Sequence, residues 1–261
     1  MNRRDFLFGS ASGLAAGAGL TKSMNLLPDC WRQKTLIEAY PGAHVSFAQQ
    51  GEDLVIKNLF DTFNVIGPSY IDIGAWDPII NSNTYLFYWQ GSRGVLVEPN
   101  PALCTRLKSV RPNDTVLNIG IGVTDQKDAD YYIVEGDGQA NTFSKKQADG
   151  WGKIAGHSVI KKVIKMPLVN INEVLQENFK RGPDLFSVDA EGFDEAILKS
   201  LDFDRFRPKV ICAETAELGT GKVITAIVGF LESKNYSVRG STFVNSIFLD
   251  NALLQEKGVR K

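Results

Sequence analysis

Tyr70-Ile71-Asp72-Ile73-Gly74-Ala75 is the stretch of sequence that decides the fold of this chain. Its apolar run predicts a buried strand, and Gly74 predicts a sharp turn at which the backbone can approach a ligand closely. A second apolar run ends in Glu98, twenty-four positions after Gly74. An acid at the end of the second strand accepts hydrogen bonds from ribose hydroxyls in sheets of this kind. The two features together predict a nucleoside site.

Strand-like and helix-like segments alternate outward from this stretch. Strands are predicted at residues 70–74, 94–98, 116–120, 185–189 and 209–214, with helices between them. Apolar strands separated by helices predict an α/β fold whose mostly parallel sheet has helices on both faces. The runs at 236–239 and 246–249 predict a closing antiparallel pair. The runs at 131–134 and 163–166, separated by a polar stretch interpreted as a loop, predict a hairpin inserted between strands three and four.

Acidic residues follow two further predicted strands. Asp189 and Glu191 come after the fourth strand, and Glu214 ends the fifth. Ligands of parallel sheets bind beyond the carboxyl ends of the strands, so these acids are expected to lie in one cleft. Neighbouring buried acids can serve as bases or hold a hard cation through their oxygens. The alternative is that Asp189 or Glu191 only caps the helix that comes next.

Composition and charge exclude several classes of protein. The 261 residues include 29 basic and 30 acidic ones, and the formal net charge is −1. A nucleic-acid binder usually has a basic excess, so no nucleic-acid partner is expected. Three cysteines without a C-x-x-C pair, together with two histidines, exclude a structural zinc site, and no metal ligands are predicted. Cys104 and Cys212 fall in segments predicted to be buried, so no disulfide is expected.

The first twenty residues differ from the rest of the chain. Arg3 and Arg4 precede an apolar, small-residue run that is too short to span a bilayer comfortably. This pattern resembles a twin-arginine export signal, which predicts a periplasmic or cell-envelope location. The alternative is a frayed or amphipathic helix of a cytoplasmic protein. We therefore divide the chain into a signal segment (1–20), a lead-in (21–45) and a main domain (46–261), and we expect no membrane span beyond the leader.

Six short motifs resemble, in this order along the chain, those of the FkbM family of S-adenosylmethionine-dependent methyltransferases. They are SFAQQGED at 46–53, YIDIGA at 70–75, SNT at 82–84, VEPNP at 97–101, NT at 141–142 and DAEGF at 189–193. The resemblance extends over about residues 46–250. The sequence departs from the family pattern at Trp76-Asp77-Pro78 and at Gly120-Ile121-Gly122.

The resemblance implies a fold, a cofactor and a set of site residues. The fold is a class I, Rossmann-like three-layer sandwich with a mostly parallel seven-stranded sheet, an antiparallel C-terminal strand and the inserted hairpin. The cofactor is S-adenosyl-L-methionine. The residues implied to contact it are Asp72, Gly74 and Ala75 at the methionine part, Glu98 at the ribose, Asn118 and Gly120 near the adenine, and Gln49 and Glu52 closing over it. Asp189 and Glu191 are implied to face the substrate.

The reaction that the resemblance implies is methylation of a hydroxyl on a carbohydrate or natural-product acceptor. An alcohol needs a base as the new bond forms, and Asp189 is our first candidate, either as that base or as a ligand of a divalent cation. His157 is the other catalytic candidate, in a mildly basic insertion (135–165) that is either a lid or a solvated loop. Two alternatives stay open: an NAD- or nucleotide-sugar-linked enzyme, and a ligand-binding domain with a decayed site. The first normally requires the G-x-G-x-x-G turn, and this chain has only Gly74 there.

Overall fold

The computed structural model describes residues 42–216, 221–256 and 258. From Ser46 onward these residues belong to one compact unit. The strands are β1 (Tyr70–Ile73), β2 (Gly94–Val97), β3 (Thr115–Leu117), β4 (Gly120–Gly122), β5 (Asp128–Val134), β6 (Ile160–Asn170), β7 (Leu185–Val188), β8 (Val210–Glu214), β9 (Tyr236–Ser241) and β10 (Asn245–Asp250). The helices are α1 (Glu52–Thr62), α2 (Tyr85–Trp89), α3 (Pro101–Val110), α4 (Lys145–Ala155), α5 (Ile171–Asn178), α6 (Asp194–Ser200), α7 (Thr225–Ser233) and α8 (Asn251–Glu256).

The main sheet has seven strands within the described ranges, in the order β3-β2-β1-β7-β8-β10-β9. Neighbours from β3 to β8 are parallel, whereas β10 is antiparallel to both β8 and β9. The predicted mostly parallel seven-stranded sheet with an antiparallel C-terminal strand is confirmed. All residues of β1 and β7 are buried, because helices pack on both faces of the sheet.

The strand register aligns the ends of three central strands. Ile73 at the end of β1 pairs with Val97 of β2 and with Val188 of β7. The residues that come directly after these ends therefore meet at one edge of the sheet, which we call the carboxyl edge. The residue after β1 is Gly74, the residue after β2 is Glu98 and the residue after β7 is Asp189. All three were predicted to be site residues.

A second, three-stranded sheet lies between β3 and α5 in the chain, with the order β4-β6-β5. We call residues 120–170, which comprise this sheet and α4, the inserted unit. Strands β5 and β6 are antiparallel, as in the predicted hairpin, but β4 pairs with β6 as a third strand. The predicted strand at 116–120 is divided, because β3 ends at Leu117 and Gly120 already belongs to the second sheet.

The connection between β5 and β6 was predicted to be a loop, and this was wrong, because it contains helix α4. Ser144 caps the helix by accepting a hydrogen bond from the backbone N–H of Gln147 at 3.2 Å. Gly150 and Gly152 lower the helix propensity, which is why the sequence pattern is typical of a loop. Gly152 is used for close packing, because a Cβ atom there would lie 3.0 Å from the carbonyl oxygen of His157.

Some predictions concern residues outside the described ranges. The signal segment and most of the lead-in belong to residues 1–41, so the export signal and the domain division remain predictions. Within the described ranges, none of the helices has the length and apolar character needed to cross a membrane.

Cys104 and Cys212 are buried free thiols.

Candidate active site

A cavity of about 240 Å³ opens at the carboxyl edge, beneath the inserted unit. The sheet side contributes turns that come after β1, β2 and β7, and the inserted unit contributes the opposite wall. Sheet-side lining residues include Gly74, Trp76, Glu98, Asp189, Glu191 and Phe193. Lining residues of the inserted unit include Gly120, Tyr131, Asn141, Thr142 and Phe143. The structure thus brings together five of the predicted site residues: Gly74, Glu98, Gly120, Asp189 and Glu191.

The turn after β1 requires glycine. Gly74 has a φ of 83°, in the left-handed region, and a Cβ atom there would collide with the carbonyl oxygen of Asp189. The backbone N–H groups of Gly74 and Ala75 both donate to the carbonyl oxygen of Val97, at 3.0 and 3.2 Å. Ala75 is buried in the core between the sheet and the helices. The bare backbone of Gly74 therefore forms part of the cavity wall.

Glu98 presents a buried carboxyl group to the cavity, with only 3% of the residue exposed. Its Oε1 accepts from the backbone N–H of Asn100 at 2.7 Å, and its Oε2 accepts from that of Trp76 at 3.0 Å. Burial raises the pKa of Glu98 to about 7, although these two N–H groups act in the opposite direction. The side chain is therefore fixed in position and titrates near neutral pH.

Asn118 holds the backbone of the turn after β2. Its Nδ2 donates to the carbonyl oxygens of Glu98 and Pro99, at 2.9 and 2.8 Å. Asn118 was expected to lie near the adenine of a cofactor. In the structure its amide orients the residue that carries the buried carboxyl group, and its place near the adenine stays a prediction.

Asp189 and Glu191 lie in a tight turn between β7 and α6. Glu191 and Gly192 both have left-handed backbone angles, with φ values of 47° and 99°. Asp194 stabilises the turn by accepting from the N–H groups of Ala190 at 2.8 Å and Gly192 at 3.3 Å. The N-cap residue of α6 is Phe193, so neither Asp189 nor Glu191 occupies that position.

The inserted unit contacts this turn through two side chains. Thr142 Oγ1 donates to the carbonyl oxygen of Glu191 at 3.0 Å, and Gln147 Nε2 donates to Glu191 Oε2 at 2.7 Å. Gln147 was missed by the sequence reasoning, because the segment that carries it was interpreted as a loop. A sequence signal for Gln147 exists only once the helix is recognised, because Gln147 then lies in the first turn of a helix that Ser144 caps.

Aromatic residues of the inserted unit form much of the opposite wall. The rings of Tyr131 and Phe143 have centroids 4.7 Å apart, and Phe143 also meets Phe193 edge-to-face. A Cβ atom on Gly120 would collide with the Phe143 ring, so glycine at this position admits the ring. The contribution of Gly120 is thus to let Phe143 reach the cavity. Tyr131 and Phe143 were also missed, since Tyr131 fell in a run that indicated only a hairpin strand and Phe143 in the stretch interpreted as a loop.

Asp72 lies beneath the site, in a buried polar cluster. Its Oδ2 accepts from Thr84 Oγ1 at 2.7 Å, and burial raises its pKa. Arg111 is fully buried and donates to Thr84 Oγ1 at 3.0 Å. It also donates to Asp114 Oδ2 at 2.8 Å and to Tyr70 Oη at 2.9 Å. Thr84 thus joins Asp72 to Arg111. The expected contact of Asp72 with the methionine part of a cofactor stays a prediction.

Three other predicted residues lie elsewhere in the structure. Gln49 is exposed, and the buried Glu52 accepts from Thr242 Oγ1 and Asn245 Nδ2 at 2.8 and 3.0 Å. His157 is exposed on the inserted unit, where its Nε2 lies 3.1 Å from Glu135 Oε2. Its pKa is raised by that carboxylate and by the carbonyl of Ala155. These side chains are not among the described residues that line the cavity.

The described residues contain no group of three or more His, Cys, Asp or Glu side chains arranged to hold a metal ion. Within this part of the chain, Asp189 and Glu191 are two carboxylates of the cavity wall and do not belong to a larger cluster of metal ligands.

Comparisons with known proteins agree with the resemblance seen in the sequence. The model of the methyltransferase FkbM domain family matches residues 72–238. No curated protein sequence matches the chain. Among solved structures, an FkbM methyltransferase from Methylobacillus flagellatus is 13% identical, with 70% of this chain and 43% of that chain covered and a TM-score of 0.43. The chain thus spans less than half the length of that protein.

Two further solved structures have similar scores. A TehB-like SAM-dependent methyltransferase from Corynebacterium glutamicum is 12% identical, covers 88% of this chain and 99% of its own, and has a TM-score of 0.40. An O-methyltransferase from Bacillus cereus in complex with SAH is also 12% identical, with 90% and 91% covered and a TM-score of 0.40. The family match to residues 72–238 covers well over half of the chain, which therefore belongs to the FkbM methyltransferase domain family.

Proposed function

We propose that this protein transfers a methyl group from S-adenosyl-L-methionine to a hydroxyl of a carbohydrate or natural-product acceptor. The observation that carries the proposal is the buried carboxyl group of Glu98. It lies at the carboxyl edge, in the same cavity as the Gly74 turn and the acids Asp189 and Glu191. Membership of the family supports methyl transfer as the reaction, and the lining of the cavity indicates which residues take part.

The cavity residues fit the nucleoside part of this cofactor. Each oxygen of Glu98 accepts one backbone N–H and keeps a second acceptor position, which suits the two hydroxyls of a ribose. The side chain needs no rearrangement, because the N–H groups of Asn100 and Trp76 already hold it. Gly74 lines the cavity with backbone alone, so a ligand can approach the chain closely there.

The other half of the cavity suits a hydroxylated acceptor. When bound, the cofactor supplies an already activated methyl group, so the protein mainly aligns the reacting atoms. The hydroxyl must lose its proton as it reacts, and Asp189 offers a carboxylate in the cavity wall for that proton. Aromatic faces at Phe143 and Phe193 suit the apolar face of a sugar ring. His157 has no part in this proposal.

Binding of the demethylated cofactor tests the first half of the proposal. In isothermal titration calorimetry, S-adenosylhomocysteine is expected to bind the wild type, and Glu98→Gln is expected to weaken binding by about tenfold, or ~1.4 kcal/mol. Glu173→Gln, which changes an exposed acid on α5, is the matched control and should leave the affinity unchanged. Binding of NAD in place of S-adenosylhomocysteine would overturn the proposal.

Turnover tests the second half. Asp189→Asn is expected to reduce methyl transfer by about 10²–10⁴-fold, because the neutral amide cannot take the proton. S-adenosylhomocysteine should still bind the variant, which separates chemistry from folding. Undiminished transfer from labelled S-adenosylmethionine would remove Asp189 from the role of base.

We also propose that residues 1–20 direct export. The proposal is supported by the adjacent arginines and the apolar run that comes after them. Cell fractionation, with N-terminal sequencing of the mature protein, tests it. A mature chain that begins near residue 21 in the periplasm is expected, and a cytoplasmic chain that retains residue 1 would contradict it.

A further inference from the structure

We propose that Glu191, held by Gln147 of the inserted unit, makes this site selective against anionic acceptors. The inference rests on the proposed function and names the charge class of its acceptor. Neutral and cationic hydroxyl compounds are accepted, whereas compounds with a carboxylate or phosphate near the reacting hydroxyl are excluded. Three features of the described residues carry the inference: the charges of the cavity wall, the placement of the lysines, and the fixing of Glu191.

The charged groups of the cavity wall all have the same sign. Among the described residues that line the cavity, Glu98, Asp189 and Glu191 are the charged ones, and no Lys, Arg or His is included. The fields of two of these carboxylates reach the interior. Burial first, and then Glu98 and Glu191, raise the pKa of the Tyr131 hydroxyl in the opposite wall, whereas a hydrogen bond with Asn141 acts in the other direction. An anion entering this space meets like charge in a medium that screens it poorly.

The basic residues of the inserted unit do not relieve this charge. Its segment 135–165 carries six lysines, which would suit an acidic acceptor if they faced the cavity. All six are exposed and none is among the lining residues of the described cavity. Two of them pair with acids on the outer surface: Lys145 with Asp149 at 2.8 Å, and Lys165 with Asp130 at 3.2 Å. The basic excess therefore faces solvent.

Glu191 is fixed by its surroundings more firmly than a surface acid would be. Its left-handed backbone, with a φ of 47°, is unfavourable for a residue with a side chain and persists only where the structure enforces it. Gln147 donates to one carboxylate oxygen at 2.7 Å, and Thr142 to the backbone carbonyl at 3.0 Å. A Cβ atom on Gly192 would collide with Gln147 Oε1, so the glycine admits the amide that holds the acid.

Charge selectivity follows from this geometry. A neutral sugar hydroxyl can donate to Glu191 or Asp189, and an ammonium group gains from both. A uronate or phosphate finds no Lys, Arg or His partner among the described lining residues and must be desolvated beside these acids. Gln147 is thus a positioning residue, since it acts on the acceptor only through Glu191.

The test uses the full-length protein and an extract of small molecules from the source cells. Labelled S-adenosylmethionine is the donor, and the labelled products are separated by anion exchange. For the wild type we expect at least tenfold more label in the neutral and cationic fraction than in the anionic fraction. In Glu191→Gln, a neutral variant of the same shape, we expect the anionic share to rise at least threefold. Gln147→Met, which keeps the length but removes the donor, should shift the share in the same direction by less.

Lys162→Gln is the matched control, because Lys162 is an exposed charge of the same unit outside the cavity. This variant should leave the anionic share unchanged. The measured quantity is a ratio of two products, so a simple loss of folded protein does not change it. Mostly anionic product from the wild type, or an unchanged ratio in Glu191→Gln, overturns the selectivity and leaves the proposed function standing. No labelled product at all, with S-adenosylhomocysteine still bound, overturns the proposed methylation instead.

Discussion

The two walls of the cavity are held in place by different means. At the carboxyl edge, Gly74, Glu98 and Asp189 come directly after buried central strands, and backbone pairing fixes their relative positions. The inserted unit has a small sheet whose longest strand, β6, has one buried residue, Met166. It meets the carboxyl edge through single side-chain bonds, such as those of Gln147 and Trp76. Changes at the carboxyl edge should therefore affect folding, and changes at the inserted unit should affect ligand exchange and selectivity.

The largest expected effect comes from Arg111, the buried cation of the polar cluster that contains Asp72 and Thr84. Arg111→Met leaves Asp114 buried without its guanidinium partner and removes a donor to Thr84. Losing one partner of a buried ion pair costs about 3–5 kcal/mol of unfolding free energy. Urea denaturation measures it, with Lys108→Met, an exposed position on helix α3, which ends directly before Arg111, as the control. Equal stability of the two variants would show that the cluster does not support the sheet.

Two glycines, one at the carboxyl edge and one in the inserted unit, are expected to differ in what a substitution by alanine does to stability. Gly74→Ala combines an unfavourable φ with a collision against the Asp189 carbonyl, and should cost about 2–4 kcal/mol. Gly150→Ala lies in α4 with nothing within 4 Å of the new Cβ, so it should stabilise the protein by up to about 1 kcal/mol. Thermal unfolding of both variants measures the difference. Equal effects of the two substitutions would contradict the distinction between the two walls.

The pH dependence of ligand binding gives a smaller effect. The ionised form of Glu98 is the better acceptor for ribose hydroxyls, and its pKa is raised to about 7 by burial. The affinity for S-adenosylhomocysteine should therefore rise about tenfold, or ~1.4 kcal/mol, from pH 6 to pH 8. Calorimetry at several pH values measures it, and Glu98→Gln should show a flat profile. A profile that is the same in both proteins would remove Glu98 from the ligand site.

The same group changes stability in the opposite direction. Since the folded-state pKa lies above the ordinary value of 4.5, Glu98 contributes stability below pH 4.5 that is lost as the pH rises to about 7. The difference in unfolding free energy between the wild type and Glu98→Gln across this window measures the contribution.

The smallest expected effect is at the contact between Trp76 and the inserted unit. Trp76 Nε1 donates to the carbonyl oxygen of Asp137 at 3.0 Å, between two glycines with left-handed backbones. Trp76→Phe removes this exposed hydrogen bond, which costs at most about 1 kcal/mol. We expect stability to change little and S-adenosylhomocysteine to dissociate about two- to fivefold faster in stopped-flow measurements. Trp89→Phe, on α2, is the control, and equal rates in the two variants would place the contact outside the exchange path.

The same contrast explains what the sequence predicts well. The main sheet can be predicted from the sequence because its strands are continuous apolar runs, and each run ends in the residue that lines the cavity: Gly74, Glu98 or Asp189. In a parallel sheet the carboxyl ends must meet, so a local pattern is sufficient to place distant residues together.

The parts of the structure that the sequence does not predict depend on interactions that no local pattern encodes. The face on which Asp72 lies depends on Arg111, thirty-nine positions away, and on Thr84 between them. Helix α4 is hidden by its two glycines, so Gln147 could not be paired with Glu191. His157 has the right chemistry for a base, but its position on the outer surface depends on how the inserted unit packs.

A crystal structure of the complex with S-adenosylhomocysteine tests the central claim, that the cavity at the carboxyl edge binds the cofactor, most directly. We predict that the ribose hydroxyls lie within hydrogen-bonding distance of the Glu98 carboxyl group and that the sulfur points toward Asp189 and Glu191. A ligand bound elsewhere, or a ribose that makes no contact with Glu98, would contradict the assignment.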